Sequence, residues 1–361
     1  MANKILLSYL LVSTLFFLPT LSEPKGDAAH RHLTQGLRKA TRAFSRGQPG
    51  DSLVTPLVLY FVTPHKTGSV FLRDVFTIIG SESEYCFLHS NDNQQRCGNC
   101  IGGKERPHYR LVNGWPQCDV LGYLKTVFGR ASEQNTESPL SFKDLGLRKG
   151  VLILTRDTDT KAIEEAAELS TKVGLNCIIA LQLRHPFDLL VSQYYSFGFN
   201  HPLPPHGSKE DIQQFLTMRQ RIQNQTVDQY VKKLASSYIQ KQINLIESLI
   251  DKPHTYGCQT FLSRYETMVS HFSSWTDEML SYLQLSHTEI NEIKQKLEPK
   301  ANFQKNGRHK MFVQGGAFLQ ELSPPTVTEL LSQYGSQLAQ MGYVWRQRYA
   351  TLIYAFYNEI K

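Results

Sequence analysis

Uninterrupted apolar runs and amphipathic segments alternate along most of this 361-residue chain. Three apolar runs, at residues 58–62, 149–157 and 177–181, predict buried strands that end in polar or charged residues. Residues 160–173 place apolar side chains at helical spacing among acids and lysines, which predicts an amphipathic helix. Strand, helix and strand at this spacing indicate βαβ units, and therefore an α/β fold with a parallel sheet.

The second half of the chain continues with predicted helices and one short strand. Helical patterns cover residues 208–250, 275–285 and 326–338, and residues 260–264 have the pattern of a strand. The hydrophobic share of 41% is enough for 361 residues to bury a full core in one large domain. We expect that domain to span residues 53–361.

The turn after the first predicted strand is small, basic and rich in hydroxyl groups. It reads Thr63-Pro64-His65-Lys66-Thr67-Gly68-Ser69, and Val70 opens a helical segment. Backbone N–H groups and the positive end of a helix form an anion cradle at such a turn, and Lys66 adds a point charge. The turn lacks the second half of the Walker A pattern G-x-x-x-x-G-K-S/T. Taken alone, it equally fits an ordinary strand–turn–helix corner.

A second possible anion-binding segment follows the apolar run at residues 177–181. Arg184 follows this strand, Pro186 stands near a helix start, and Ser192 comes two helical turns later. The planar guanidinium of Arg donates hydrogen bonds in pairs, and Ser adds a short hydroxyl donor. The two side chains are therefore expected to converge on another phosphate, unless they are simply a surface Arg and a solvated Ser.

Together these segments resemble the sulfotransferases that use 3′-phosphoadenosine 5′-phosphosulfate (PAPS). The turn at residues 63–69 resembles their 5′-phosphosulfate loop, and residues 184–195 resemble their 3′-phosphate site, R-D/H-P with a Ser eight residues after the Arg. Residues 264–268 resemble the family's "YE-D-M" strand end. Residues 309–322 resemble its glycine-containing cofactor loop, although Phe318 stands where Trp is common. The resemblance spans roughly residues 55–345.

The resemblance implies a P-loop-like sulfotransferase fold, with a central parallel sheet flanked by helices, and PAPS as the donor. Lys66 would neutralise the leaving 5′-phosphate, and Arg184 and Ser192 would hold the 3′-phosphate. The other expected cofactor contacts are His65, Thr67, Gly68, Ser69, Val70, Gly315 and Gly316. Sulfuryl transfer needs no metal, so none is proposed.

Transfer to a hydroxyl also requires a general base, which family members take from a His or Glu between the two phosphate motifs. His108 is the first candidate, because it heads a strand-like run at the position where His-using carbohydrate enzymes place their base. His89 is the second candidate. Glu82, Glu84 and Glu105 remain open.

The acceptor implied by the resemblance is a hydroxyl group on a glycan. Protein tyrosine or a small secreted alcohol is an alternative acceptor, and a non-catalytic sulfotransferase-like binding protein is an alternative function. A P-loop kinase would need a Walker A Lys and a metal-binding Asp, for which Asp157 is the nearest candidate.

Charge composition fits an anionic ligand without indicating nucleic acid. Lys and Arg number 39 against 32 Asp and Glu, a net charge of +7, with a basic cluster over residues 30–46. This balance suits anionic cofactors or acidic glycans. Because zinc-finger, RNP-type and recognition-helix patterns are missing from the sequence, no nucleic-acid partner is expected.

The N-terminus indicates entry into the secretory pathway. Residues 1–22 form an apolar segment that predicts a signal peptide or a retained anchor, and residues 23–52 have the composition of a stem. We therefore expect the body in the Golgi lumen or secreted. A membrane association is expected only if the N-terminal segment is retained.

Cysteine usage indicates the same oxidising compartment. Four cysteines fall within a Cys-rich insertion at about residues 81–130, which predicts disulfides whose connectivity the sequence leaves open: Cys86, Cys97, Cys100 and Cys118. Cys177 lies in a predicted buried strand and is expected to be a packed thiol. Asn224-Gln225-Thr226 is an N-x-S/T sequon, which favours a glycosylated surface.

Overall fold

A five-stranded parallel sheet lies at the centre of the computed structural model. The structure describes residues 55–90, 108–112, 115–125, 149–156, 159–252, 257–301 and 315–343. The sheet has the order β2-β5-β1-β6-β7 and contains β1 (Leu57–Val62), β2 (Tyr85–His89), β5 (Gly150–Thr155), β6 (Asn176–Leu183) and β7 (Gln259–Arg264). A separate antiparallel hairpin contains β3 (His108–Val112) and β4 (Trp115–Asp119).

Helices connect and cover the strands. In chain order they are α1 (Ser69–Glu82), α2 (Thr160–Lys172), α3 (Pro186–Tyr195), α4 (Lys209–Gln223), α5 (Val227–Ile246), α6 (Tyr265–Ser270), α7 (Phe272–Ser281), α8 (His287–Leu297), α9 (Phe318–Glu321) and α10 (Pro324–Gln340). Two π-helical segments, Ser196–Asn200 and Glu247–Asp251, extend α3 and α5, and a 3₁₀ turn covers Glu298–Ala301. The predicted helical stretch at 208–250 is thus two helices, each opened by a capping box.

The strands β1, β5 and β6 are buried on both faces, which explains why they have no polar alternation. On one face Val58, Tyr60 and Val62 belong to a core cluster with Ile163 and Ala166 of α2. The opposite face of β1 packs in a second cluster, which includes side chains of α1, α7 and α8. The predicted α/β fold class, a central parallel sheet flanked by helices, is confirmed.

A disulfide joins Cys177, in β6, to Cys258, which directly precedes β7. The prediction of a packed thiol at Cys177 was therefore wrong. The partner lies 81 residues further along the chain and comes into reach only because β6 and β7 are paired. Cys86 in β2 is also disulfide-bonded. The prediction of pairing within the Cys-rich insertion remains a prediction, because the side chains of Cys97, Cys100 and Cys118 lie outside the described residues.

Other predictions fall on parts of the chain that the structure leaves undescribed. The N-terminal segment, the stem and most of the Cys-rich insertion lie outside the described residues, so the proposed domain boundaries remain predictions. None of the helices within the described ranges has the length and apolar character that a bilayer crossing requires. β7 ends at Arg264 and α6 begins at Tyr265, so the motif at residues 264–268 starts at a strand end, as predicted, and continues as a helix.

Candidate anion-binding site

The carboxyl end of β1 lies at a point where the chain leaves the sheet in opposite directions. β1 pairs with β5 on one side and with β6 on the other. The helix that follows β1 packs on one face of the sheet, and the helix between β5 and β6 packs on the other. In open α/β sheets such a switch point opens a crevice at the carboxyl ends of the strands. The predicted phosphate loop is located there.

The loop is held by its own hydroxyl groups and by unusual backbone angles. Thr67 Oγ1 donates to the Pro64 carbonyl at 2.6 Å and lies 2.8 Å from Thr63 Oγ1. The backbone of Lys66 has φ 71° and that of Gly68 has φ 94°, so two residues adopt left-handed conformations. Lys66 is the only non-glycine residue with positive φ among the described residues. Strain of this kind concentrates at functional sites.

Helix α1 starts directly from this loop without a side-chain cap. Gly68 is its N-cap and has no side chain to accept from the first amides, which leaves helix N–H donors at the loop. A Cβ at Gly68 would lie 2.9 Å from Met268 Cε and 3.2 Å from the Tyr265 ring, so the loop also packs closely on α6. Uncapped amides and the positive helix end together favour an anion.

Lys66 contacts the π-helical segment that extends α3. Its Nζ donates to Ser196 Oγ at 2.5 Å and lies 5.7 Å from the centroid of the Phe197 ring. Burial, followed by repulsion from Arg156 and Arg184, lowers the pKa of Lys66 to about 8. An anion bound beside this ammonium would offset both effects.

Arg184, at the end of β6, is buried and held from several directions. Its Nη1 donates to the Lys66 carbonyl at 3.2 Å, and its guanidinium lies 4.4 Å from the centroid of the Tyr265 ring. Gln242 of α5 donates to the Arg184 carbonyl at 3.1 Å. The structure thus brings Arg184 and Lys66 together.

A pair of carboxylates connects Arg184 to the glycine turn at residues 315–317. Glu266 Oε1 accepts from the His185 amide at 2.7 Å, next to Arg184. Asp188, fully buried, accepts from the amides of Gly316 at 2.7 Å and Phe318 at 2.8 Å. A Cβ at Gly315 would lie 2.9 Å from Glu266 Cγ, so the turn needs glycine there. Burial raises the pKa of Glu266.

Arg156 is a further cation beside the loop, which the sequence did not single out. It follows β5 and donates from Nε to Ser69 Oγ at 2.9 Å, while its amide donates to Ser90 Oγ at 3.1 Å. Burial, followed by repulsion from Arg73, lowers its pKa to about 10. The only signal in the sequence was a charged residue directly after a buried strand.

Two histidines near these cations are held neutral. His65 stacks on Phe197 with 5.1 Å between ring centroids, and burial followed by repulsion from Lys66 and Arg156 lowers its pKa to about 3. His89 ends β2 and is 5% exposed; burial, then Arg156 and Arg73, lower its pKa to about 3 as well.

The other candidate bases include His108, Glu82 and Glu105. His108 is the first residue of β3, in the hairpin, and its side chain lies outside the described part of the chain. Glu82 pairs with Lys296, which lowers the pKa of its carboxyl group. Glu105 lies outside the described residues.

Two further predicted cofactor contacts, Ser192 and Val70, lie on the helices α3 and α1. Ser192 is half-buried on α3, four residues before Ser196, so the two lie near each other on the helix surface. Val70, in the first turn of α1, is 54% exposed. Within the described residues, no group of three His, Cys, Asp or Glu side chains is placed to hold a metal ion.

Comparisons with known proteins identify similar folds at low sequence identity. The chain is similar to mouse sulfotransferase SULT7A1 complexed with PAP, with 11% identity, a TM-score of 0.44, and coverage of 86% of this chain and 90% of that chain. It is also similar to retinol dehydratase in complex with androsterone and inactive cofactor PAP, with 12% identity, a TM-score of 0.33, and coverage of 78% and 80%. No family model and no curated protein matches the chain.

Proposed function

We propose that this protein is a PAPS-dependent sulfotransferase that transfers a sulfuryl group to a hydroxyl acceptor. One observation carries the proposal: an uncapped helix N-terminus and Lys66 lie beside the buried Arg184 at the carboxyl ends of two adjacent strands. The two sites would hold the two phosphates of the same nucleotide. A 3′-phosphate distinguishes this nucleotide from ordinary ones.

The residues fit the ligand electrostatically. Burial, followed by repulsion from Arg156 and Arg184, lowers the pKa of Lys66 to about 8. Bound PAPS would supply the sulfuryl group and a phosphate as its leaving group. Lys66 and the amides of α1 would stabilise charge on that phosphate, because sulfuryl transfer, like phosphoryl transfer, depends mainly on positioning and preformed charge.

The proposed acceptor is a glycan hydroxyl, and the proposed compartment is the lumen of the secretory pathway, in the Golgi or after secretion. The acceptor class rests on the sequence resemblance. The buried Cys177–Cys258 disulfide supports an oxidising compartment, as does the N-terminal apolar segment.

A thermal unfolding experiment tests the nucleotide site. 3′-Phosphoadenosine 5′-phosphate (PAP) at ~100 times its Kd should stabilise the protein by about 2.7 kcal/mol, whereas AMP at the same concentration should shift Tm much less. Lys66→Ala should lose most of the PAP shift and most of the turnover of PAPS. Equal shifts with PAP and AMP, or full turnover by Lys66→Ala, would contradict the proposal.

A second candidate function is a sulfotransferase-like protein that binds the nucleotide without turnover. It is favoured by the state of His89, which is enclosed and has a pKa of about 3, too low for an efficient base at neutral pH. A single assay of PAP binding and sulfuryl transfer distinguishes the two functions. Binding of PAP together with loss of sulfate from PAPS only in the presence of acceptor supports the enzyme, and binding without transfer to any acceptor supports the second candidate.

A further inference from the structure

Cationic side chains follow three adjacent strands at the same edge of the sheet. Arg156 comes directly after β5, Lys66 lies in the loop after β1, and Arg184 comes directly after β6. In the ladder, Val62 pairs with Thr155 on one side and with Leu181 on the other. The two arginines therefore flank the loop from opposite sides.

Each arginine bonds to a different part of the loop. Arg184 donates to the Lys66 carbonyl, and Arg156 donates to the Ser69 hydroxyl at the first residue of α1. Both also act on Lys66 electrostatically, and Arg156 has the larger influence of the two on its pKa. The three cations therefore form one continuous row across the carboxyl ends of β5, β1 and β6.

This row matches the three anionic groups of PAPS, given the function proposed above, on which the inference rests. The 3′-phosphate belongs with Arg184 and the 5′-phosphate with Lys66 and the loop. The remaining anionic group is the sulfuryl group, attached to the 5′-phosphate, and the remaining cation bonded to the loop is Arg156. We infer that Arg156 is a catalytic residue that contacts the transferred sulfuryl group.

The chemistry requires a donor at this position. In the transfer, the bond between sulfur and the 5′-phosphate oxygen breaks, and its electron pair stays on that oxygen. A bond forms between sulfur and the acceptor oxygen, and the acceptor proton passes to a base. Negative charge is spread over the sulfuryl oxygens throughout this step. A guanidinium whose plane is fixed by a bond to Ser69 is a preorganised donor for those oxygens.

The location also predicts the side from which the acceptor approaches. His89 ends β2, the strand next to β5, and Arg156 and Arg73 are the charged groups that lower its pKa. The acceptor would therefore enter on the β5–β2 side of the loop, away from Arg184.

The experiment compares the affinities of PAP, which has no sulfuryl group, and PAPS in the absence of acceptor. Calorimetric titrations of wild type, Arg156→Gln and Arg184→Gln provide the ratio of the two affinities. We expect Arg156→Gln to change PAP affinity by less than about threefold, to weaken PAPS by about tenfold, and to lower kcat by about 100-fold. Arg184→Gln should weaken PAP and PAPS by the same factor, and Arg156→Lys should recover part of the PAPS affinity.

Controls separate a catalytic role from a structural one. Ser69→Ala removes the hydroxyl that orients Arg156 but keeps the guanidinium, so it should lower the ratio of PAPS to PAP affinity by less than Arg156→Gln does. If Arg156→Gln weakens both ligands equally, or if Ser69→Ala reproduces its change in the ratio, Arg156 only positions the loop and the inference is overturned. If the wild type binds neither PAP nor PAPS, the proposed function fails and this inference fails with it.

Discussion

The two arginines that flank the loop are held in different ways. Arg184 is buried under contacts from the loop, the Tyr265 ring and Gln242, and Glu266 fixes the amide of the next residue. Arg156 is only partly buried; its Nε donates to Ser69 Oγ, and its amide donates to Ser90 Oγ. A rigid, enclosed cation suits a group that stays bound throughout the reaction. A more open cation suits a group that is transferred.

The packing around each arginine extends this difference. On the Arg184 side, Asp188 and Glu266 connect the end of β6 to the turn at 315–317, and the disulfide of Cys177 fixes the start of β6 to β7. On the Arg156 side, neutral His89 lies at the end of the edge strand of the sheet. We therefore expect substitutions on the Arg184 side to lower stability and nucleotide affinity. Substitutions on the Arg156 side should instead change the turnover rate and the pH dependence.

The largest expected effect is the loss of the Cys177–Cys258 disulfide on the Arg184 side. Cys177→Ala with Cys258→Ala should lower the free energy of unfolding by about 4 kcal/mol, because the bond closes a loop of 81 residues in the unfolded chain. Urea unfolding without reductant measures the change. A loss below about 1 kcal/mol would show that β6–β7 pairing alone holds this side, and would weaken the contrast between the two arginines.

A smaller effect is expected at Gly68, where the loop packs against the Arg184 side. In Gly68→Ala the alanine must adopt φ near 94° and place its Cβ against Met268 and the Tyr265 ring. The guanidinium of Arg184 packs over that same ring. We expect a loss of about 3 kcal/mol in the free energy of unfolding and at least tenfold weaker PAP binding.

Gly174 offers a matched control for this substitution. Its φ is 81°, but a Cβ there would have no heavy atom within 4 Å. Gly174→Ala should therefore cost only about 1 kcal/mol and leave PAP affinity unchanged. Equal effects of the two substitutions on PAP affinity would show that the contact between the loop and Tyr265 does not matter for binding.

Lys66, between the two arginines, is expected to make nucleotide binding pH-dependent. Its pKa is lowered to about 8, so PAP affinity should fall by up to tenfold per pH unit above pH 8, as the ammonium loses its proton. In the free protein, the unfolded state binds more protons between about pH 8 and the ordinary Lys pKa of 10.5, so the free energy of unfolding should rise with pH in that window.

Lys66→Arg is the matched variant, because a guanidinium keeps its charge throughout this range. Calorimetric titration of PAP from pH 7 to 9.5 should give a falling affinity for the wild type and a nearly constant affinity for Lys66→Arg. A wild-type affinity that stays constant to pH 9.5 would mean that Lys66 does not touch the bound nucleotide.

The sequence predicted that the loop and Arg184 each follow a buried strand, and it did not single out Arg156, for a structural reason. Arg184 and the loop each follow a strand within one short segment that also contains a recognisable helix start, so local pattern was sufficient. Arg156 becomes a neighbour of Ser69 only because β5 inserts beside β1, a pairing between Val62 and Thr155 that no local pattern reveals. The Cys177–Cys258 bond was missed for the same reason, since it depends on strand order. His108 heads a strand, as predicted, but that strand belongs to a separate hairpin.

The smallest expected effect concerns His89 on the Arg156 side. Its pKa in the folded protein is lowered to about 3, so below pH 6.5 the unfolded state binds a proton that the folded state does not. The stability that the neutral ring contributes is present above pH 6.5 and is lost as the pH falls towards 3. At pH 5.5 the loss should be about 1 kcal/mol, and His89→Gln should remove that part of the pH dependence.

His65, with a similarly low pKa next to Lys66, should cause a second decrease in the free energy of unfolding, which persists in His89→Gln and disappears in His65→Gln. Urea unfolding at pH 7.5 and 5.5 for the three proteins measures both contributions. An identical pH dependence in wild type and His89→Gln would show that His89 is already protonated or solvated at pH 5.5. The Arg156 side would then be more open to water than its packing indicates, and His89 would regain the basicity that a catalytic base needs.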